Sequence, residues 1–200
     1  VRVFAERFRP AGVGGLLFTK RNLAMSRTLV LAYPGSGKTY TATHYAGVVD
    51  FEHQDFMWIY PAEVAGLPLD ERRSNMHLRA QNPAWPGNYL GEMEKGLAAG
   101  NILISPFIET VFKAADSYVS DDVRKILVIP AVENFDEIEA RFIARNTGAE
   151  FIERRRAELP MLREIFDAAE GWEKIVLGRG QFLDDALLQL DVELKEVKNA

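Results

Sequence analysis

The chain alternates short, uniformly apolar runs with stretches in which apolar residues recur every three or four positions. A continuous apolar run bounded by turn signals reads as a strand buried on both faces, and the three-to-four recurrence reads as an amphipathic helix. The runs predict strands at Thr28–Ala32, Val48-Val49-Asp50-Phe51, Asn101-Ile-Leu-Ile-Ser105, Arg124-Lys-Ile-Leu-Val-Ile-Pro130 and Lys174-Ile-Val-Leu-Gly178. Helices are predicted from Lys38 to Ala46 and from Asn88 to Ala99. The second carries Tyr89, Leu90, Met93 and Leu97 at helical spacing and stops at Gly100. Pro106 suits the first turn of a helix running to about Ser117. Asn134 with Glu137 predicts a capping box for a helix that carries Phe135, Ile138, Phe142 and Ile143 and ends at Gly148. Residues 149–170 read as a charged helix with an interruption expected near Pro160, and Phe182 to Val197 as a closing helix. Residues 52 to about 88 break the pattern with Trp58, Pro61, Pro68, Pro83, Trp85 and Pro86. A long proline-broken stretch between core strands reads as a functional insertion over one end of the sheet.

Strands alternating with helices imply an α/β fold with a parallel sheet covered on both faces, and a site at the carboxyl ends of the strands. Those ends carry Ala32, Asp50, Ser105 and Pro130.

Directly after the first strand stands Ala32-Tyr33-Pro34-Gly35-Ser36-Gly37-Lys38-Thr39, followed by Tyr40 and the first helix. Strand, glycine-containing loop, helix and terminal Lys-Thr together make a phosphate-binding P-loop, or Walker A motif. Small residues let the backbone N–H groups close on a polyphosphate. Lys38 neutralises the β/γ-phosphates, and the Thr39 hydroxyl can ligate Mg²⁺. The strict pattern opens with glycine, and here that place is held by Ala32. The plain alternative is a glycine-rich turn that happens to end in Lys-Thr.

Composition changes this picture little. Two hundred residues, 48% apolar and 26% charged, suit a globular protein with one full core. The net charge of −5 argues against bulk nucleic-acid binding. The chain has no cysteine, which fits a reducing, cytoplasmic setting and removes disulfides and cysteine-ligated metals. No apolar run approaches the ~20 residues of a membrane-spanning helix, so no membrane partner is expected. Residues 1–24 lack a long hydrophobic region and do not read as a secretory signal. They are expected to form a poorly ordered extension ahead of a domain over 25–200.

Three groups of residues could carry chemistry. Asp50 is the acid at the end of a core strand near the P-loop, since the run ending Ile104-Ser105-Pro106 supplies none. A carboxylate there can take the proton of a substrate hydroxyl or hold the shell of Mg²⁺; otherwise it terminates a loop. Arg141 and Arg145 stand four apart on one helical side and can stabilise phosphoryl oxygens, or else form a solvated face with Glu139 and Glu150. In the neighbouring Arg154-Arg155-Arg156 run, at least one member must point elsewhere. In Asn82-Pro-Ala-Trp85-Pro-Gly-Asn88-Tyr89, the two rings could sandwich a base and the two amides read its edge; the alternative is a loop pinned by its aromatics. His44, His53 and His77 lack metal-ligand spacing.

The ordered set of the P-loop, Asp50, Asn82-Pro83 with Asn88-Tyr89, Ile102-Leu-Ile-Ser105 and Arg141-x-x-x-Arg145 resembles the small P-loop nucleoside and nucleotide kinases, among them phage and bacterial deoxynucleoside monophosphate kinase-like and adenylate kinase-like proteins. The resemblance covers about residues 27–190. It implies a three-layer α/β/α P-loop NTPase fold with a five-stranded parallel sheet, a substrate-binding insertion over about 52–100 and an arginine-bearing lid over about 134–160. It also implies ATP and Mg²⁺ as donor and cofactor, and Lys38, Asp50, Arg141 and Arg145 as the catalytic set. Pro34 to Tyr40 would hold the nucleotide, Thr39 and Asp50 the metal, and Asn82, Trp85, Asn88 and Tyr89 the acceptor. The expected acceptor is a nucleoside monophosphate or related nucleotide, a modified base within DNA included, and the expected assembly is a monomer or homodimer. The chain departs from the pattern in lacking an arginine directly after the second strand; Arg72, Arg73 and Arg79 are the candidates. The competing reading is an NTPase switch coupled to a protein partner, which expects an acid after the third core strand.

Overall fold

The computed structural model describes residues 27–68, 71–72 and 75–197. The expectation for residues 1–24 lies outside this set. In chain order the strands are β1 (Thr28–Ala32), β2 (Tyr45–Ala46), β3 (Val48–Asp50), β4 (Trp58–Ile59), β5 (Ala80–Gln81), β6 (Ile102–Pro106), β7 (Arg124–Pro130), β8 (Glu173–Leu177) and β9 (Lys195–Glu196). The α-helices are α1 (Lys38–His44), α2 (Gln54–Met57), α3 (Ala62–Ala65), α4 (Gly87–Ala98), α5 (Glu109–Tyr118), α6 (Phe135–Ala144), α7 (Ala149–Ala168) and α8 (Leu183–Gln189).

Five strands form one parallel sheet in the order β3-β6-β1-β7-β8. Because side chains alternate across a strand, each of the three central strands feeds two layers. Leu29, Leu31, Leu103, Leu127 and Ile129 join the side chains of α4, α5, α6 and α7 in one cluster. Val30, Ile104, Ile126 and Val128 join Leu183, Ala186 and Leu187 of α8 in the other. The result is the expected α/β/α sandwich with a central parallel sheet.

Several predicted boundaries differ, each for a local reason. Pro106 does not open a helix. It is the last residue of β6, where it pairs in register with Ala32, and α5 begins at Glu109. The Asn134–Glu137 capping box is not formed: the Asn134 side chain makes no cap bond. Glu137 turns instead to the loop after β8, where its carboxylate accepts the Gly180 N–H at 2.8 Å. That helix ends at Ala144, not Gly148. Asn146 takes the left-handed turn at φ 56°, and Gly148 caps the next helix. Pro160 does not interrupt α7, which runs on through it with Leu159, Leu162 and Phe166 buried, so packing outweighs the missing hydrogen bond. The closing helix stops at Gln189, and the chain then pairs as β9 with β2, which itself takes over where α1 was expected to continue.

Candidate active site

The P-loop begins where β1 leaves the sheet. Tyr33 N–H donates to Val128 O on β7 at 2.9 Å, and Ser36 N–H closes a turn on Tyr33 O at 3.1 Å. Gly35 and Gly37 have φ of 85° and 109°, the left-handed region that disfavours any side chain. Space is tight as well. A Cβ on Gly35 would stand 3.1 Å from Ile138 Cγ2, and one on Gly37 3.3 Å from Phe182 Cδ1. The loop is thus clasped by α6 and by the turn into α8, whose Leu183 N–H donates to Ser36 O at 2.9 Å.

At the start of α1, Lys38 is buried. The Thr39 hydroxyl donates to Asp50 Oδ2 at 2.7 Å. β6 lies between β1 and β3, so this bond spans the strand whose end carries Ser105. Ser105 is buried and engages the Tyr89 hydroxyl. Two further polar atoms here are buried without a partner among the described residues: Ser36 Oγ on the loop and Asp50 Oδ1 beside it. Buried polar groups are ordinarily satisfied. A loop hydroxyl and a carboxylate oxygen left open beside a lysine are what a Mg²⁺-polyphosphate group would complete, so the residues fit that group. Thr39 and Asp50 would hold the cation, with phosphate oxygens and water filling the remaining positions.

On the β8 side, Arg141 lies across the loop. Its guanidinium donates to Gly35 O at 3.2 Å and Gln181 O at 2.9 Å, and stacks over the Phe182 ring at 3.9 Å. Glu137 lies 3.6 Å away. Burial lowers the Arg141 pKa from the usual guanidinium value; Glu137 opposes that shift and Arg145 adds to it. Arg145 is exposed at the end of α6, and its side chain makes no hydrogen bond or ion pair among the described residues. The two arginines expected to act together are therefore separated, one docked on the loop and the other in solvent. The segment expected as a lid is packed down, with Phe135, Ile138, Phe142 and Ile152 buried in the core.

The acceptor-side expectations are redistributed. Tyr89 is fully buried, its ring 4.7 Å from Phe51 and 5.2 Å from Trp85, so it is a core residue and offers no open face to a base. Burial pushes its hydroxyl pKa up. Asn88 is turned inward as well: its amide donates to Phe56 O at 2.9 Å and its oxygen accepts the Tyr89 N–H. Asn82 uses its oxygen to accept the Ala84 N–H, an Asx turn. Trp85 is half-buried against the same core. Of the candidate arginines, Arg79 stacks over Trp58 at 4.0 Å and Arg72 pairs with Asp55 at 2.6 Å; Arg73 lies outside the described residues.

Two residues near the site had no individual role in the sequence, Arg155 standing only within the Arg154–Arg156 run and His53 only among histidines without metal-ligand spacing. Arg155 is 9% exposed, and its backbone carbonyl accepts the Tyr33 hydroxyl at 2.5 Å. Its signal was present: with Ile152, Leu159, Leu162 and Phe166 it completes a spacing of three and four, an apolar-stripe position held by a cation. His53, 6% exposed just before α2, has no such signal. Burial, then the charges of Lys38, Arg155 and Arg79, lowers its pKa to about 4.

No protein-family model matches the chain, and no curated protein matches it. Among solved structures it is similar to the tunicamycin resistance protein of Deinococcus radiodurans, at 18% identity and a TM-score of 0.46, over 84% of this chain and 96% of that one.

Proposed function

We propose that the chain is an ATP-dependent phosphotransferase of the small P-loop kinase kind, acting on a nucleotide-like acceptor. The observation that carries this reading is the Thr39–Asp50 hydrogen bond of 2.7 Å, with Ser36 Oγ and Asp50 Oδ1 left open beside it. The loop amides and Ser36 bind the donor's phosphates, and Lys38 offsets their charge. Mg²⁺, when bound, supplies further charge neutralisation, and Thr39 with Asp50 are the residues that hold it. Where the acceptor is a hydroxyl, Asp50 can draw its proton; where it is a phosphate monoester, whose attacking oxygen already carries the charge, the carboxylate serves through the metal shell alone. Arg141 keeps the loop in its phosphate-ready shape through the Gly35 carbonyl, while Arg145, exposed at the end of α6, is a cation able to approach from solvent.

The NTPase-switch alternative expects an acid where Ser105 stands, and that hydroxyl is engaged by Tyr89 in the core. Its readout is nucleotide-dependent assembly. The test is transfer of radiolabelled phosphate from γ-labelled ATP to a panel of nucleosides, nucleoside monophosphates and modified DNA. We expect a labelled nucleotide product that requires Mg²⁺ and disappears in Lys38→Met. ATP binding without transfer to any member of the panel would remove the kinase reading.

A further inference from the structure

Four polar side-chain atoms around the P-loop and its β3 flank are buried without a partner among the described residues: Ser36 Oγ, Asp50 Oδ1, His53 Nδ1 and Arg155 Nε. The first two are absorbed by the donor and metal reading. The last two lie outside it and belong to residues that are 6% and 9% exposed.

The proton on His53 can be placed. Its Nε2 stands 3.0 Å from the side-chain amide nitrogen of Gln54. An amide nitrogen only donates, so Nε2 accepts and the ring proton sits on Nδ1. The nearest carboxylate oxygen, on Glu52, is 3.8 Å from Nδ1, beyond hydrogen-bond reach. Nδ1–H is therefore a buried donor for which the described residues offer no acceptor. The groups that act on this ring are the cations Lys38, Arg155 and Arg79, with Glu52 alongside. An atom that completes Nδ1–H in these surroundings is an anionic oxygen.

Topology says which substrate brings it. β1 and the P-loop occupy the middle of the sheet. Arg141, Gln181 and Phe182 flank the loop on the β8 side, while Asp50 and His53 follow β3 at the opposite edge. His53 also lies 6.3 Å from the Trp85 ring, in the insertion. The donor's phosphates are served by the loop itself, so an anion at His53 arrives from across Asp50.

We propose that His53 contacts the acceptor: its Nδ1–H donates to a phosphate oxygen of a phosphate monoester, with Arg155 Nε–H as a second donor, and so selects a nucleoside monophosphate over the uncharged nucleoside. This rests on the phosphotransferase reading above. Burial beside the cations keeps the ring neutral at pH 7, so the site offers one directed N–H in place of another mobile charge.

The experiment uses the full chain with ¹⁵N-labelled histidine, first saturated with Mg-ADP. It is then titrated with the four deoxynucleoside monophosphates, the four matching nucleosides and inorganic phosphate. We expect a monophosphate to move the His53 Nδ1 resonance while its nucleoside leaves it in place. In the kinase assay, His53→Leu should raise KM for the monophosphate by about tenfold to a hundredfold, the worth of one hydrogen bond to a charged group. It should leave Mg-ADP affinity unchanged, and His53→Asn, which keeps an N–H near the Nδ1 position, should recover most of the loss. If none of these compounds moves the resonance, or nucleoside and monophosphate move it equally, or His53→Leu weakens Mg-ADP as much as the acceptor, the proposal is overturned with the kinase reading intact. If Mg-ADP itself does not bind, both fall.

Discussion

Asp50 and Thr39 stand eleven positions apart in sequence, and one hydrogen bond joins them over the end of β6. In the proposed reaction the same carboxylate orients the metal shell and faces the acceptor. Asp50→Asn keeps an oxygen to accept the Thr39 hydroxyl but loses the charge that would support the metal shell. We expect it to lower kcat by about 10–100-fold with thermal stability nearly unchanged, checked by steady-state kinetics beside a melting curve. His53 yields a prediction of a different kind. Its pKa is 6.5 in the unfolded chain and about 4 in the folded one, so the unfolded chain binds the proton more readily. Stability is then complete above pH 6.5 and is lost progressively as pH falls toward 4. Urea unfolding across that window should show the decline, and His53→Leu should flatten part of it. Asp50 was legible because few side chains can stand at the end of an apolar strand beside a P-loop. His53 was not, because its importance comes from a tertiary environment that its sequence neighbours do not encode.

At the scale of elements, the insertion divides into parts of different character. α4 buries Tyr89, Leu90, Met93 and Leu97 against the sheet, and Tyr89 with Ser105 forms a buried hydroxyl pair on β6. Removing the Tyr89 hydroxyl takes away the partner of Ser105, whereas removing that of Ser105 leaves Tyr89 the Phe51 carbonyl at 3.5 Å. Tyr89→Phe should therefore cost about 1–3 kcal/mol, while Tyr89→Phe with Ser105→Ala should cost less than the two single changes added. Denaturant titration of the four proteins checks this. The core strands and α4 were legible from apolar runs and helical spacing to within a residue or two. Pro160 and Asn134 misled for the opposite reason. Local rules predict a break and a cap, and packing of Leu159, Leu162 and Phe166 overrides the first while the reach of Glu137 to Gly180 removes the second. The aromatic reading of Asn82 to Tyr89 failed at Tyr89 and Asn88 because the spacing that displays a ring for stacking is also the spacing that buries it on a helix.

Across the whole molecule, the sheet order places the P-loop between two unlike flanks. One, after β8, is tied to the loop by Arg141, Glu137 and the backbone of residues 180–183. The other, after β3, is tied to it by the hydrogen bond between Thr39 and Asp50. The alternating pattern implied a parallel sheet and a site at its carboxyl ends. It could not order the strands, because the central strands β6, β1 and β7 are all buried on both faces and none advertises its neighbours. No helix among the described residues is long and apolar enough to cross a membrane.

The buried Tyr89–Ser105 pair has a mechanical corollary. It makes α4 a fixed post on the sheet, while between residues 54 and 82 only Val64, among the described residues, is buried. Free energy of local opening follows buried apolar contact, so the stretch from α2 to β5 is a jaw hung from that post. Amide exchange should begin in α2, α3, β4 and β5 and reach α4 only on global unfolding, and a bound acceptor should slow the jaw while leaving the post unchanged. Equal protection of both halves before ligand is added would show that the insertion moves, if at all, as one piece.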